Sequence, residues 1–302
     1  MQLAMVGGQP MVTNRLTEYL QGSQLSHAYL FWGPSGVGKL KTAKAFTADI
    51  LAASHPQTPH LIASGQHPDY LLVQREGAAI RIDDIRNMEK WLYQKPYWAE
   101  RKVVIINEAQ YLNRESGNAL LKTLEEPPAY AIIILVANSN ALLPTIISRC
   151  QSIRFGALST SYINEVLISA GTEPEIASLT AAMAEGSLTT AARLIPKGPQ
   201  VLLEEARTLL INFGQGRAQF VVLQAEIMEK DNEYQQAFYA ALRYVLLMAS
   251  RDEEAEFKIS PEQARQILIK MDEHRRLEKV NASRLLLSLE MLWQLFDVVK
   301  PA

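Results

Sequence analysis

The sequence contains a single cysteine, Cys150, and no long apolar run. One thiol excludes an intrachain disulfide framework and any multi-cysteine zinc site, and it fits a reducing compartment. No stretch approaches the roughly 18 apolar residues that a membrane-spanning helix needs. The first residues also lack a basic segment followed by an apolar one, which is the pattern of a signal peptide. We therefore expect a soluble, cytoplasmic protein with no membrane partner.

The sequence also has little net charge, since its 30 basic and 32 acidic residues leave −2. A protein that grips nucleic-acid phosphates over its whole surface is basic. Any contact with DNA is therefore local or shared with partner proteins. The length of 302 residues allows two or three domains rather than one.

Short apolar runs alternate with helical patterns in the first half of the sequence, which is typical of a parallel α/β sheet. The predicted strands are residues 27–32, 70–73, 102–106, 132–137 and 153–155. Strand signals end near Leu158, and a turn-rich PKGP break follows at 196–199. The pattern predicts an α/β domain over 1–157, a small helical domain over 158–198 and an all-helical domain over 199–302.

The first predicted strand leads into seven residues that match the start of a phosphate-binding P-loop: Gly33, Pro34, Ser35, Gly36, Val37, Gly38 and Lys39. In a P-loop, glycines let backbone N–H groups face an anion, the following helix adds its positive end and the lysine adds a charge. The eighth position carries Ser or Thr, whose hydroxyl ligates Mg²⁺. Leu40 occupies that position here, and Thr42 lies two positions further round the helix.

The second magnesium-binding element is also altered. After the strand at 102–106, an active P-loop ATPase has an Asp that holds Mg²⁺ and a Glu that orients the attacking water. This sequence has Asn107 and Glu108, and an amide is a poorer magnesium ligand than a carboxylate. We expect no significant ATP hydrolysis and at most weak nucleotide binding. The interpretation we favour is that Asn107 and Glu108 only end the strand and start the next helix.

Four segments follow one another over the predicted α/β domain: HAYLFWGPSGVGK at 27–39, HPD at 67–69, NALLKTLEEPP at 118–128 and LPTIISRCQ at 143–151. Together they resemble the delta-prime subunits of bacterial DNA polymerase III clamp loaders, which are AAA+ proteins. The segment at 281–295 is similar to the collar helix of that family. The P-loop alone is a weak signal, whereas NALLKTLEEPP followed by SRC is a specific one.

The resemblance implies an AAA+ P-loop domain with a parallel sheet, a helical lid domain and an all-α collar domain. It implies a stator without activity of its own, within a hetero-pentamer that also contains gamma/tau and delta subunits. That complex places a sliding clamp on primer-template DNA, using ATP held by the motor subunits. It serves the DNA polymerase III holoenzyme, a nucleotidyltransferase.

The resemblance assigns Arg149, in the SRC motif at 148–150, as an arginine finger for a neighbouring subunit's nucleotide. A guanidinium supplied in trans stabilises charge on a transferring phosphoryl group. The alternative is a solvated or helix-capping arginine, which is the usual role of a lone Arg at a helix end.

Three other positions acquire roles by resemblance. Asn138 occupies the sensor-1 position, although a turn-forming Asn fits equally well. Lys122 is a candidate contact to DNA phosphate or to a neighbouring subunit, and equally a solvated helix lysine. Thr189 lies where ATP-binding relatives carry a sensor-2 arginine, which a threonine cannot replace.

The sequence departs from many similar chains in having no four-cysteine zinc module between the P-loop helix and HPD. The histidines of this region, His55, His60 and His67, lack thiolate or carboxylate partners at ligand spacing. We expect no zinc, no other metal and no other cofactor.

Two other functions fit part of this pattern. One is an active ATPase of the same superfamily, such as a gamma/tau motor or a helicase-loading protein, but it requires the missing magnesium ligands. The other is a nucleotide-binding regulatory module outside replication. NALLKTLEEPP and SRC occurring together weaken that interpretation.

Overall fold

The computed structural model describes residues 2–22, 25–75, 77–139, 142–251, 259–277 and 283–300. The chain forms two units, Met1–Ser159 and Thr160–Ala302. The boundary predicted after residue 157 lies close to the boundary between these units. The further boundary at 198/199 falls inside the second unit and stays a prediction.

A five-stranded parallel sheet forms the centre of the first unit, in the order β2-β3-β4-β1-β5. The strands are β1 Ala28–Trp32, β2 Tyr70–Val73, β3 Lys102–Ile106, β4 Ala131–Ala137 and β5 Gln151–Arg154. All residues of β3 and β4 are buried, because helices cover both faces of a parallel sheet. The predicted parallel sheet is confirmed, with strand ends shifted by at most two residues.

The register of the strands shows which of the following loops lie at the same edge of the sheet. Trp32 of β1 pairs with Ala137 of β4, and Ile106 of β3 pairs with Leu135 of β4. The residues that follow β1, β3 and β4 therefore lie at one edge, the carboxyl edge of the sheet. In open parallel sheets this edge is where ligands bind.

Six helices flank the described strands of the first unit: α1 Pro10–Gln21, α2 Lys39–Ile50, α3 Thr58–Ser64, α4 Ile82–Leu92, α5 Arg114–Glu125 and α6 Pro144–Ile147. Helix α5 is the predicted helix of the NALLKTLEE segment. Its N-cap, Asn113, accepts a 2.8 Å hydrogen bond from the Ser116 N–H. Leu120 and Leu124 bury its apolar face in the same core as Ile85 and Met88 of α4.

Helices alone are described in the second unit: α7 Thr160–Ser169, α8 Pro174–Met183, α9 Leu188–Lys197, α10 Pro199–Gly214, α11 Gln219–Lys230, α12 Asn232–Ala249, α13 Pro261–Leu277 and α14 Arg284–Val299. Met183 and Leu194 of the short helices share one apolar core with Leu210, Phe238 and Leu292 of the long ones. The predicted helical region is confirmed. The start of the helix predicted at Asn281 lies outside the described residues.

Within the described part of the chain, every helix is too short or too polar to cross a bilayer.

Candidate nucleotide edge and arginine corner

The predicted P-loop lies at the carboxyl edge of the sheet, between β1 and α2. Its first residue, Gly33, has a positive φ of 148°. A Cβ atom at this position would lie 2.3 Å from the Phe155 carbonyl oxygen. Only glycine therefore fits where the loop leaves the sheet.

The P-loop lysine is turned onto its own loop. Lys39 Nζ donates a 2.9 Å hydrogen bond to the Gly33 carbonyl and another to the Pro34 carbonyl. The side chain is only 5% exposed, and this burial lowers the pKa of the Lys39 ammonium to about 8. The loop's own carbonyls thus take two of the three N–H donors of the ammonium.

The side chains after Lys39 offer no hydroxyl to a metal ion at this edge. Leu40 is half-buried and lines a groove with the apolar residues Met5, Val6 and Ile62. Thr42 is fully buried, and its hydroxyl donates to the Gly38 carbonyl at 2.9 Å. The Thr42 hydroxyl is thus bonded to the backbone of the phosphate loop itself.

Asn107 and Glu108 lie at the same edge of the sheet as the P-loop, where β3 ends. The Asn107 N–H donates to the Val73 carbonyl at 2.9 Å, which holds it against β2. Glu108 has a positive φ of 54° and precedes a 3₁₀ turn, Ala109–Tyr111. The geometry agrees with the interpretation that these residues end a strand and begin a helical turn.

The carboxylate of Glu108 has a partner that the sequence did not indicate. Arg75 Nε lies 2.8 Å from Glu108 Oε2, and the guanidinium stacks over the Tyr111 ring at 4.2 Å. Arg75 follows β2, 33 residues before Glu108. Only the tertiary fold brings these residues together, so sequence spacing gave no signal.

Asn138 follows β4 at the same edge, so the P-loop, Asn107, Glu108 and Asn138 form one site, which we call the nucleotide edge. The Asn138 N–H donates to Gln110 Oε1 at 3.0 Å. This contact fixes the backbone after β4. It fits a structural turn, and the sensor role stays a prediction.

Arg149 lies elsewhere, after α6 and immediately before β5. Tyr29 of β1 pairs with Gln151 of β5, so Arg149 lies at the amino edge of the sheet. The P-loop follows the carboxyl end of β1. Since a β-strand rises about 3.3 Å per residue, Gly33 lies about 13 Å along the strand direction from Tyr29, the β1 residue opposite the start of β5.

The Arg149 guanidinium is held by three groups, which together with Arg149 form what we call the arginine corner. Nη2 lies 2.5 Å from Glu125 Oε1, and Nη1 donates to the Thr145 carbonyl at 2.9 Å and to Ser148 Oγ at 3.4 Å. The arginine side chain stays 34% exposed. The contact with Thr145 shows that Arg149 does cap α6. Sequence reasoning missed Glu125, 24 residues away.

Two candidates from the sequence remain, Lys122 and Thr189. Lys122 is exposed on α5, and its contact role stays a prediction. Thr189 lies in α9 of the second unit.

Two of the three histidines considered for zinc, His67 and His55, make contacts within the protein, and His60 is exposed. His67 is 2% exposed; its Nε2 lies 3.0 Å from Ser54 Oγ, and its Nδ1 accepts from the Asp69 N–H. Burial lowers the pKa of the His67 imidazole. His55 stacks on Trp98 with ring centroids 5.1 Å apart. Across the described ranges, His, Cys, Asp and Glu form no group of three or more that is placed to hold a metal.

The HPD motif has a structural role at the amino edge. The buried carboxylate of Asp69 accepts hydrogen bonds from three successive backbone N–H groups, those of Tyr97, Trp98 and Ala99, at 2.6, 2.8 and 2.9 Å. This carboxylate fixes the loop that leads into β3.

The sheet order and the phosphate loop define a P-loop protein of the AAA+ class. A gamma subunit-related protein of DNA polymerase III from Thermotoga maritima has a similar fold, with a TM-score of 0.50 over 94% of this chain and 98% of that chain. Its sequence is 18% identical to this one, so the likeness concerns the fold alone.

Residues 8–159, about half of the chain, match the family described as DNA polymerase III, delta subunit. The chain belongs to this family, and the resemblance stated from the sequence motifs is confirmed. DNA polymerase III subunit delta' of Pseudomonas aeruginosa is 37% identical over 139 residues, or 42% of each chain. DNA polymerase III subunit tau/gamma of Haemophilus influenzae is 36% identical over 173 residues, or 54% of this chain and 25% of its own. The matched region thus spans less than half of either relative.

Proposed function

We propose that this chain is a clamp-loader subunit of DNA polymerase III that hydrolyses no ATP and supplies Arg149 to a nucleotide held by a neighbouring subunit. The observation that carries this proposal is the placement of Arg149 at the amino edge of the sheet. Its own phosphate loop follows the carboxyl end of β1. A guanidinium at this distance serves a phosphate on another chain, as arginine fingers do.

The nucleotide edge supports the absence of hydrolysis. Leu40 has no oxygen for Mg²⁺, and Asn107 offers an amide in place of a carboxylate. Glu108 Oε2 is already engaged by Arg75 Nε, which competes with a water molecule for this carboxylate. Phosphoryl transfer depends on a well-held metal. We propose at most weak nucleotide binding and no zinc.

Family membership supports the proposed partners. The relatives carry the names of delta' and tau/gamma subunits of DNA polymerase III. We propose that this chain assembles with gamma/tau and delta subunits in a hetero-pentamer. The complex then acts on a sliding clamp and primer-template DNA for a DNA-directed DNA polymerase.

A motor subunit of the gamma/tau kind is the second candidate, and the tau/gamma relative favours it. That candidate needs a nucleotide edge that holds Mg²⁺, and Leu40 and Asn107 argue against it.

Arg149→Ala tests the trans-acting role. In the reconstituted complex with clamp and primed DNA, we expect stimulated ATP turnover to fall severalfold, while the isolated variant keeps the wild-type unfolding midpoint. Arg101→Ala is the matched control, because Arg101 also lies at the amino edge and its guanidinium donates to the Ala129 carbonyl at 2.9 Å. Unchanged turnover with Arg149→Ala would show that Arg149 does not act on a neighbouring subunit's nucleotide.

The isolated wild-type chain tests the absence of hydrolysis. With ATP and Mg²⁺ we expect no steady turnover, and by calorimetry weak binding or none. Brisk hydrolysis by the purified chain would favour the motor candidate.

A further inference from the structure

We propose that Glu125 is a positioning residue for Arg149, an inference that rests on the trans-acting role proposed above. Glu125 Oε1 lies 2.5 Å from Arg149 Nη2. Glu125 is the last residue of α5, in the specific segment NALLKTLEEPP, and Arg149 lies in SRC. The two motifs that identify the family therefore meet in one ion pair.

The contacts of Arg149 fix one part of the guanidinium and leave another part for a ligand. A guanidinium has five N–H donors in one plane. The Thr145 carbonyl and Ser148 Oγ take donors of Nη1, and Glu125 takes one donor of Nη2. The Nε–H and the second N–H of Nη2 are not used by these contacts. Those two groups are the donors that we assign to a phosphate of the neighbouring subunit.

The elements that carry these partners are themselves well fixed. Pro127 and Pro128 follow α5 and end it, so the Glu125 carboxylate is attached to a defined helix end. Thr145 and Ser148 belong to α6 and its C-cap. Arg149 is thereby ordered before a partner arrives. Ordering the side chain in advance removes part of the entropy lost when it engages a phosphate.

Glu126 provides a matched control beside Glu125. It is exposed directly after α5, and no contact between its carboxylate and Arg149 is observed among the described residues. Glu126→Gln removes the same charge one residue away. A general electrostatic effect of this helix end would appear in both variants, whereas positioning would appear only in Glu125→Gln.

The expected effect is modest and specific to turnover. An exposed ion pair contributes little to stability, so Glu125→Gln leaves unfolding and assembly unchanged. Losing the pair lowers the fraction of Arg149 side chains in the productive orientation by about two- to fivefold, the size of effect an exposed ion pair supports. The kcat for stimulated ATP hydrolysis should fall by that factor, while KM for ATP stays constant.

The experiment compares Glu125→Gln, Glu126→Gln, Arg149→Ala and the double variant Glu125→Gln/Arg149→Ala, each reconstituted as the full chain in the complex with clamp and primed DNA. ATP turnover gives kcat and KM, and sedimentation measures assembly. We expect Glu125→Gln to lower kcat in the wild-type background and to have no further effect beside Arg149→Ala. Glu126→Gln should behave as wild type.

The other outcomes separate the two proposals. If Arg149→Ala lowers turnover and Glu125→Gln does not, the trans-acting role of Arg149 is supported and the positioning role of Glu125 is overturned. If Glu125→Gln raises turnover, the ion pair restrains Arg149 and positioning is again overturned. A loss of assembly in Glu125→Gln would make its role structural. Unchanged turnover with Arg149→Ala overturns both proposals.

Discussion

The nucleotide edge and the arginine corner lie at opposite edges of one sheet and use their charges differently. At the nucleotide edge, Lys39 is buried on the carbonyls of its own loop and Glu108 is paired with Arg75. At the arginine corner, Arg149 is also paired and one third exposed, as the Arg75–Glu108 pair is. The described contacts of Arg149, however, use neither its Nε–H nor one N–H of Nη2. The lysine of the first edge is therefore turned inward and buried, whereas the arginine of the second has donors left for another molecule.

This difference teaches that the backbone of a phosphate loop can be required by packing, whatever the chemistry of its side chains. The Gly33 turn is required by contact with Phe155, independent of any nucleotide. Leu40 packs beside apolar residues and has no role that a hydroxyl would serve. Fold and function are separate properties of the same residues.

Substituting Gly33 should have the largest effect, and it tests whether packing requires the backbone of the phosphate loop. Gly33→Ala places a Cβ atom 2.3 Å from the Phe155 carbonyl oxygen, at a φ of 148°. Backbone strain and overpacking together should lower the free energy of unfolding by about 4 kcal/mol. Urea unfolding of the isolated chain measures this loss. A neutral outcome would mean that the loop is not held by packing.

Gly38→Ala is the control for Gly33→Ala. Gly38 also has a positive φ, 93°, but a Cβ atom there meets nothing within 4 Å. The cost should be only about 1 kcal/mol, from the left-handed backbone alone. Equal losses at both glycines would show that conformation, rather than contact with Phe155, dominates.

Sequence reasoning succeeded where burial or a local motif dictates structure. The KVVII segment at 102–106, apolar after its first residue, predicted β3 with its observed bounds, because a strand covered on both faces is largely apolar. The altered metal-ligand positions, Leu40 and Asn107, were also recognised from the sequence. In active ATPases one ligand directly follows the P-loop lysine and the other follows a strand. The pairs Arg75–Glu108 and Glu125–Arg149 were not predicted. Each joins residues more than 20 positions apart, and a sequence pattern has no period that connects them.

The pH dependence of stability sharpens the comparison by testing whether Lys39 is held inward. Burial lowers the pKa of Lys39 to about 8, from 10.5. Below pH 8 the lysine is charged in both folded and unfolded chains, so its desolvation cost is fully present. Between pH 8 and 10.5 the folded chain releases the proton first, and this contribution to stability rises with pH.

Lys39→Met isolates that contribution. The stability of the wild type minus that of Lys39→Met should rise by about 2 kcal/mol as pH increases from 8 to 10. Denaturant unfolding at several pH values measures the difference, in which the titration of other groups cancels. A difference that stays flat to pH 10 would place the ammonium in solvent and weaken the contrast between the two edges.

The smallest expected effect is the most direct comparison of the two edges. Glu108→Gln makes the same chemical change at the nucleotide edge that Glu125→Gln makes at the arginine corner. The pair with Arg75 is about one third exposed, so its loss should lower stability by no more than about 0.5 kcal/mol. In the reconstituted complex, turnover should match wild type, because a site without magnesium ligands has no water to orient. If Glu108→Gln lowers turnover as much as Glu125→Gln does, the nucleotide edge takes part in hydrolysis and its chemistry has not been lost.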